Sequence, residues 1–360
     1  MKVGIVGLPN AGKSSLFNAL TSAGVDAANY PFTTVEPNVA VVPVGDERLD
    51  RVVATIGATP TVYETIEFHD IAGLVRGAHR GEGLGNRFLA NIRETDALVH
   101  VVRAHDDAQV VHPEGRVDPL ADVDTIETEL LYADLEQAER RLAKVAREAK
   151  SGEQAKLAEE GWLRELVSAL GEGRRASTVP AAAGAPDALR NLQPLSAKPV
   201  LYLANVGEGE PLEAPAVLRE HAEGSGARAA AVSARLEAEL SELDVSEAVA
   251  IRADLGVLES GLATVVRESW ELLGLISFFT AGEGKEGRAW AVPSGTRARA
   301  AAGRIHTDIE RGFVAAEIAC WSDLVDCGGY AGAREAAKLR VEGRDYELRD
   351  GDVMTVRFTP

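Results

Sequence analysis

Apolar and polar positions change rhythm several times along the chain, and each change predicts an element. Val3, Ile5 and Val6 make a short buried strand, and Ser15-Leu16-Phe17-Asn18-Ala19-Leu20 follows with the three-and-four spacing of a helix. Val39–Val44 and the segment around 62–68 read as further strands, the second running into Asp70-Ile71-Ala72-Gly73. Ala97-Leu98-Val99-His100-Val101-Val102 is almost wholly apolar, as a parallel strand covered on both faces is. Strand and helix alternate to this point, which predicts a doubly wound α/β sheet.

The alternation stops near Val123. From there Ile126, Leu130, Leu135, Ala138, Leu142, Val145 and Ala149 recur mostly at steps of three and four, close to a heptad seam. Ser151-Gly152 breaks the seam, and Leu157, Leu163, Leu166, Val167 and Leu170 predict a second, shorter amphipathic helix. An antiparallel helical arm with its hinge, residues 119–192, is thus expected as an insertion. The α/β rhythm resumes at Pro199-Val200-Leu201-Tyr202-Leu203-Ala204-Asn205 and at Ala229-Ala230-Ala231-Val232-Ser233, so 1–118 and 193–275 form one domain. Residues 276–360 read as a small α+β domain, with 339–341 and 346–348 flanking Glu342-Gly343-Arg344 as a hairpin.

Composition narrows the classes. The chain has 360 residues, 46% of them hydrophobic, and no apolar run long enough to span a bilayer. Two cysteines, Cys320 and Cys327, exclude a disulfide framework and leave reduced thiols or a redox pair. A cytoplasmic protein, monomeric and without membrane contact, is expected. The net charge of −18 speaks against coating nucleic acid through bulk electrostatics, and no DNA partner is expected. Charge is uneven, however. Arg140, Arg141, Lys144, Arg147 and Lys150 form a basic run in the arm, and residues 271–360 hold 12 Lys and Arg against 14 Asp and Glu. The run is open to two readings, contact with RNA or a solvated helix face.

The chemistry sits first in Gly7-Leu8-Pro9-Asn10-Ala11-Gly12-Lys13-Ser14, a strand running straight into G-x-x-x-x-G-K-S. Glycines let the backbone curl so that several N–H groups converge at a helix N-terminus, where phosphate binds. Asn10, Ala11, Gly12, Lys13, Ser14 and Ser15 are therefore the expected phosphate-binding positions. Lys13 would reach the β- and γ-phosphates, and the Ser14 hydroxyl would join Mg²⁺. Thr34, in the loop after the first helix, can complete the Mg²⁺ shell when a γ-phosphate is present. Asp70, at a strand end, can hold Mg²⁺ through water, and the Gly73 N–H can bond the γ-phosphate.

These motifs, with Tyr30-Pro31-Phe32-Thr33-Thr34-Val35-Glu36-Pro37-Asn38, Gly81-Glu82-Gly83-Leu84-Gly85-Asn86 and Leu203-Ala204-Asn205-Val206-Gly207-Glu208, resemble the Obg-like ATPases (the YchF type) of the translation-factor-related P-loop GTPases, nearly end to end. The run from His306-Thr307-Asp308 to Gly351-Asp352-Val353 looks like that family's TGS domain, a β-grasp module. The resemblance implies a GTPase-type α/β P-loop domain, an inserted arm, a TGS domain, ATP preferred over GTP, and ribosomal subunits or rRNA as partners.

Base choice follows from one residue. Most relatives carry Asn-Lys-x-Asp, whose Asp accepts hydrogen bonds from two guanine N–H groups. Here the segment is Asn205-Val206-Gly207-Glu208, with no Lys and a carboxylate one methylene longer. The guanine clamp is lost, and Glu208 can face the adenine amino group. Ser233-Ala234 is the expected last base-edge loop.

Hydrolysis is less conventional. Related switches place a water-orienting Gln after Asp-x-x-Gly, but this chain has Leu74. His112 matches a family histidine and is one candidate for the missing polar group; a surface-loop histidine is the competing reading. Asn10 can instead hold K⁺, as in relatives with a hydrophobic switch residue. Three functions stay in view: a slow ATPase switch acting on the ribosome, a scaffold with structural nucleotide, and a small-molecule kinase. The last does not explain Thr34, Asp70-x-x-Gly73 and Asn205-x-x-Glu208 together.

Overall fold

A computed structural model describes residues 1–25, 38–71, 84–106, 115–257 and 259–359. Their strands are β1 (Lys2–Val6), β2 (Val39–Val44), β3 (Thr61–Val62), β4 (Glu64–Asp70), β5 (Ala97–Arg103), β6 (Val200–Asn205), β7 (Arg228–Val232), β8 (Leu275–Thr280), β9 (Gly287–Pro293), β10 (Phe313–Cys320), β11 (Arg340–Glu342) and β12 (Asp352–Phe358). The first five helices are α1 (Lys13–Val25), α2 (Glu47–Ile56), α3 (Leu84–Arg93), α4 (Pro119–Glu148) and α5 (Gln154–Gly171). Among the described residues no helix is long and apolar enough to cross a membrane.

One compact unit is built mainly from Glu67–Leu272 with the N-terminal strand and helix. Its sheet runs β2-β4-β1-β5-β6-β7. β1 pairs in parallel with both β4 and β5, with Val6 opposite His100, and β5–β6 and β6–β7 are also parallel. β5 and β6 are buried at every position, which explains why both read as unbroken apolar runs.

α4 starts where Pro119 takes the first turn and the Asp118 carboxylate accepts from the Ala121 N–H at 3.1 Å. Its apolar seam is continuous in sequence but serves two partners. Val123, Ile126, Leu130 and Ala133 join the core of the sheet, whereas Ala138 and Val145 pack with Trp162, Leu163, Leu166 and Leu170 of α5. Burying each of the valine, isoleucine and leucine side chains among them contributes about 1.5–3 kcal/mol. Arg141 pairs with Glu159, and Glu148 with Lys156, so the two helices run antiparallel. Only the distal part of α4 is therefore arm. Asp134, where the two parts meet, accepts from the Leu195 and Ser196 N–H groups at 2.7 and 2.8 Å and fastens the returning chain.

The second unit contains Leu273–Pro360 and also Val42–Ile66, a segment that the sequence boundaries assign to the nucleotide domain. Its sheet runs β11-β10-β12-β8-β9-β3, and β3 lies parallel to β9. α2, capped by Asp46 and ended by Gly57, puts Leu49 and Val52 in one core with Phe279, Ala319, Leu324 and Val353. Arg48 reinforces this by bonding both Asp46 and Asp350.

The expected C-terminal hairpin is not formed. β11 pairs antiparallel with β10, and 346–348 turns to the start of the helix at Ala298–Ile305 instead. There Tyr346 accepts from the Ala298 N–H at 2.8 Å, and Leu348 donates to the Thr296 carbonyl at 3.0 Å. Burial of Leu348 against Phe278, Ala301 and Met354 outweighs the local turn signal.

Candidate functional site

The P-loop leaves β1 at Gly7 and delivers Lys13 and Ser14 at the start of α1. Two glycines are demanded by geometry. Gly7 has φ 152°, and a Cβ there would lie 2.4 Å from the Val101 carbonyl oxygen; Gly12 has φ 101°, and a Cβ would lie 2.3 Å from Asn205 Nδ2. Asn10 also takes a left-handed conformation, at φ 63°.

Around this loop an open cleft of about 810 Å³ forms at the C-terminal ends of the parallel strands, where α/β sheets bind ligands. The P-loop supplies Asn10, Gly12, Lys13, Ser14 and Ser15; the end of β5 supplies Arg103, His105 and Asp106. The segment after β6 supplies Asn205, Val206, Gly207, Glu208 and Glu210, and that after β7 supplies Ser233, Ala234 and Arg235. Ten of the eleven expected nucleotide-binding positions thus meet on one wall. The other, Ala11, is buried, with its N–H on the Leu8 carbonyl at 3.3 Å and its own carbonyl taken by Asn205.

Asn205 organises the wall. It is buried, its Nδ2 donates to the Ala11 carbonyl at 3.0 Å, and its Oδ1 accepts from the Ala234 N–H at 3.0 Å. One amide thereby ties the loop before α1 to the segment after β7. His105 Nδ1 donates to the Asn205 carbonyl at 2.9 Å, and Arg103 Nε donates to the His105 carbonyl at 3.1 Å. The Gly207 N–H is closed by Glu210 at 2.9 Å, while Glu208 Oε1 lies 2.9 Å from Arg235 Nε. Ser233 Oγ is buried on this wall without a hydrogen-bond partner among the described residues.

Lys13 is nearly buried and donates from Nζ to the Leu8 carbonyl at 2.7 Å. Burial lowers its pKa to about 8 against the opposing pull of Asp70. Asp70 is shifted the other way, upwards, because burial outweighs the charge of Lys13. Its carboxylate and the Ser14 hydroxyl are hard oxygen donors of the kind Mg²⁺ takes alongside phosphate oxygens and water. Among the described residues no cluster of three or more acidic, His or Cys side chains makes a dedicated metal cage. Thr34, Gly73, Leu74 and His112 lie outside the described residues.

Beneath the P-loop, His100 is fully buried in β5, and desolvation, followed by Lys13 and His221, lowers its pKa to about 3. It is held neutral against Tyr202, whose hydroxyl donates to Glu127 of α4. Arg103, His105, Asp106, Glu210 and Arg235 line the cleft without belonging to any of the sequence motifs. A polar cluster directly after the apolar strand 97–102 was the available signal for the first three.

Comparisons with known proteins agree with this architecture. Residues 2–140 match a family profile described as 50S ribosome-binding GTPase, and 275–359 match the C-terminal YchF GTPase profile, described as a protein of unknown function. The "Ribosome-binding ATPase YchF" of Bacillus subtilis is 45% identical over 99% of both chains, and that of Haemophilus influenzae 47% over 99% of both. The structure of the Schizosaccharomyces pombe YchF GTPase superposes with a TM-score of 0.86 at 34% identity, covering 99% of this chain and 97% of that one. With a P-loop GTPase fold, a YchF-type C-terminal domain and full-length relatives at this identity, the chain belongs to the YchF family.

Proposed function

We propose that this protein is a nucleotide-dependent switch that binds ATP in preference to GTP, hydrolyses it slowly to ADP and phosphate with Mg²⁺, and acts as a cytoplasmic monomer on the ribosome. The single observation that carries the reading is Glu208 on the wall of the P-loop cleft, where guanine-specific relatives have a shorter aspartate. Its carboxylate is an acceptor for the adenine amino group and repels the guanine O6. The names of the relatives, ribosome-binding ATPases, support the choice of base and partner.

Lys13 would neutralise the β- and γ-phosphates, and Ser14, Asp70 and Thr34 would hold Mg²⁺ beside them. Bound there, Mg²⁺ supplies charge neutralisation to the transferring phosphoryl group. Gly73 would bond the γ-phosphate through its N–H. Leu74 has no group to orient water, which supports a slow intrinsic rate and gives His112 or a K⁺ ion at Asn10 a role. Leu74 equally supports a second reading, a scaffold whose nucleotide is structural.

Single-turnover ATP hydrolysis compared with Lys13→Ala separates the two. The switch requires hydrolysis that the variant loses, and ribosome pull-down that differs between ATP-analogue and ADP states. A clear guanine preference in competitive titration would overturn the base assignment.

A further inference from the structure

We propose that the solvent face of the distal half of α4 is a phosphate-binding stripe that docks the arm on ribosomal RNA. This rests on the ribosome reading above and names the surface and the ligand chemistry. The five cations of the basic run are equivalent in sequence but not in the fold. Arg141 turns inward, where its Nε lies 2.8 Å from Glu159 Oε1 and its guanidinium fork braces α4 on α5. Arg140, Lys144, Arg147 and Lys150 are exposed.

The first three of these are spaced four and three residues apart, so they share one helix face. Lys150 follows in the turn Ala149–Ser151 that ends it. At 1.5 Å per residue the stripe is about 15 Å long, enough to meet several successive phosphates.

Its charge is available to a ligand. Lys144 Nζ lies 4.0 Å from Glu148, but Glu148 is already held by Lys156 at 3.1 Å. Arg147 Nε donates to the Ala143 carbonyl of its own helix at 3.0 Å. Among the described residues, no carboxylate pairs with Arg147 or Lys150. Only Arg140 has a close partner of its own, Glu136 at 3.0 Å, and such an exposed pair exchanges readily for phosphate.

Other cations of the arm and hinge are matched locally: Arg164 with Glu160 at 2.6 Å, Arg174 with Glu172 at 3.0 Å and Arg190 with Asp187 at 2.8 Å. In a chain of net charge −18, a polyanion is repelled by the average surface and is admitted only where positive charge is concentrated. The stripe is such a place.

The test uses the full-length protein with Lys144→Gln, Arg147→Gln and Lys150→Gln combined, and Arg164→Gln, Arg174→Gln and Arg190→Gln as a charge-matched control. Co-sedimentation with purified ribosomal subunits is followed between about 50 and 200 mM salt. The stripe variant is expected to bind about tenfold or more weakly, with a log–log salt slope shallower by about 2 to 3, and the control to bind as the parent does. Deproteinised ribosomal RNA should reproduce the difference, and ATP binding and circular dichroism should not change. Affinity and slope equal to the parent's, or an equal loss in the control, overturn the stripe while leaving the ribosome reading intact. A loss with subunits that is absent with RNA alone overturns the phosphate assignment. Absence of binding by the unsubstituted protein overturns both readings.

Discussion

Glu208 Oε1 and Arg235 Nε lie 2.9 Å apart at the rim of the P-loop cleft, so the carboxylate proposed to read the base carries a cation beside it. Arginine is a natural donor to the guanine O6, which Glu208 alone would repel. Arg235→Ala is therefore expected to raise the ratio of ATP to GTP affinity about three- to fivefold, on the scale of one exposed charge pair. Competitive titration with the two nucleotides reads this directly. An unchanged ratio means that Arg235 does not reach the base.

Asn205 joins Ala11 to Ala234, and its loss leaves a buried carbonyl and a buried N–H without partners. Asn205→Ala should cost about 1–3 kcal/mol in thermal or denaturant unfolding and weaken ATP binding as well. Gly12→Ala should be at least as damaging, since it combines φ 101° with a clash against the same amide. A variant at either position that unfolds and binds like the parent contradicts this bracing role.

With Lys13 on the phosphates as proposed, ATP binding should depend on pH. In the nucleotide-free protein its pKa is about 8, whereas a bound triphosphate requires the ammonium form. Above about pH 8 binding must therefore take up a proton, and affinity should fall by up to about tenfold per pH unit. Calorimetry in two buffers of different ionisation heat should register that uptake at about pH 9 and little at about pH 7. The same shift acts on folding with a definite sign. The folded pKa lies below the ordinary 10.5, so the unfolded chain holds more protons between the two values, and the stability of the nucleotide-free protein gains from Lys13 as pH rises from about 8 to 10.5.

Leu166 is wholly buried between α5 and the distal part of α4, away from the sheet core. Leu166→Ala should destabilise this helical pair by about 2–5 kcal/mol. Hydrogen exchange should speed up in 138–170 while ATP affinity stays within about twofold, because the cleft shares none of these contacts. Equal loosening of β1 and β5 would show that the arm is not a separate cooperative unit.

If Asn10 holds K⁺ beside the phosphates, ATP turnover at constant Mg²⁺ should be faster in K⁺ than in Na⁺, and Asn10→Ala should remove the difference. Identical rates in the two salts eliminate the cation.

The parts legible in the sequence were those whose signal is local. The strand leading into the P-loop, the apolar runs of β5 and β6, and the two arm helices all rest on periodicity and on glycines within a few residues. What failed depended on distant chain. The turn signal at Glu342-Gly343-Arg344 gave way because β11 found β10 and Leu348 found a core built by Phe278 and Met354. Val42–Ile66 joined the C-terminal unit because α2 buries Leu49 and Val52 there, with Arg48 meeting Asp350 some 302 residues away in sequence. Likewise the seam of α4 reads as one stripe, although the sheet takes half of it and α5 the rest.

The sequence by itself determined that a strand runs into a G-x-x-x-x-G-K-S loop at Gly7–Ser14 and that position 208 carries a glutamate, because these depend on residue type and short spacing. It also placed five cations together in the arm. Only the tertiary structure decided that Asn205 is a brace between two loops, that Ala11 turns away from the cleft, that Arg235 sits against Glu208, and that Arg141 leaves the basic stripe. Each of those is a contact between segments far apart in the chain, set by which buried surfaces pack together, and no local pattern encodes it.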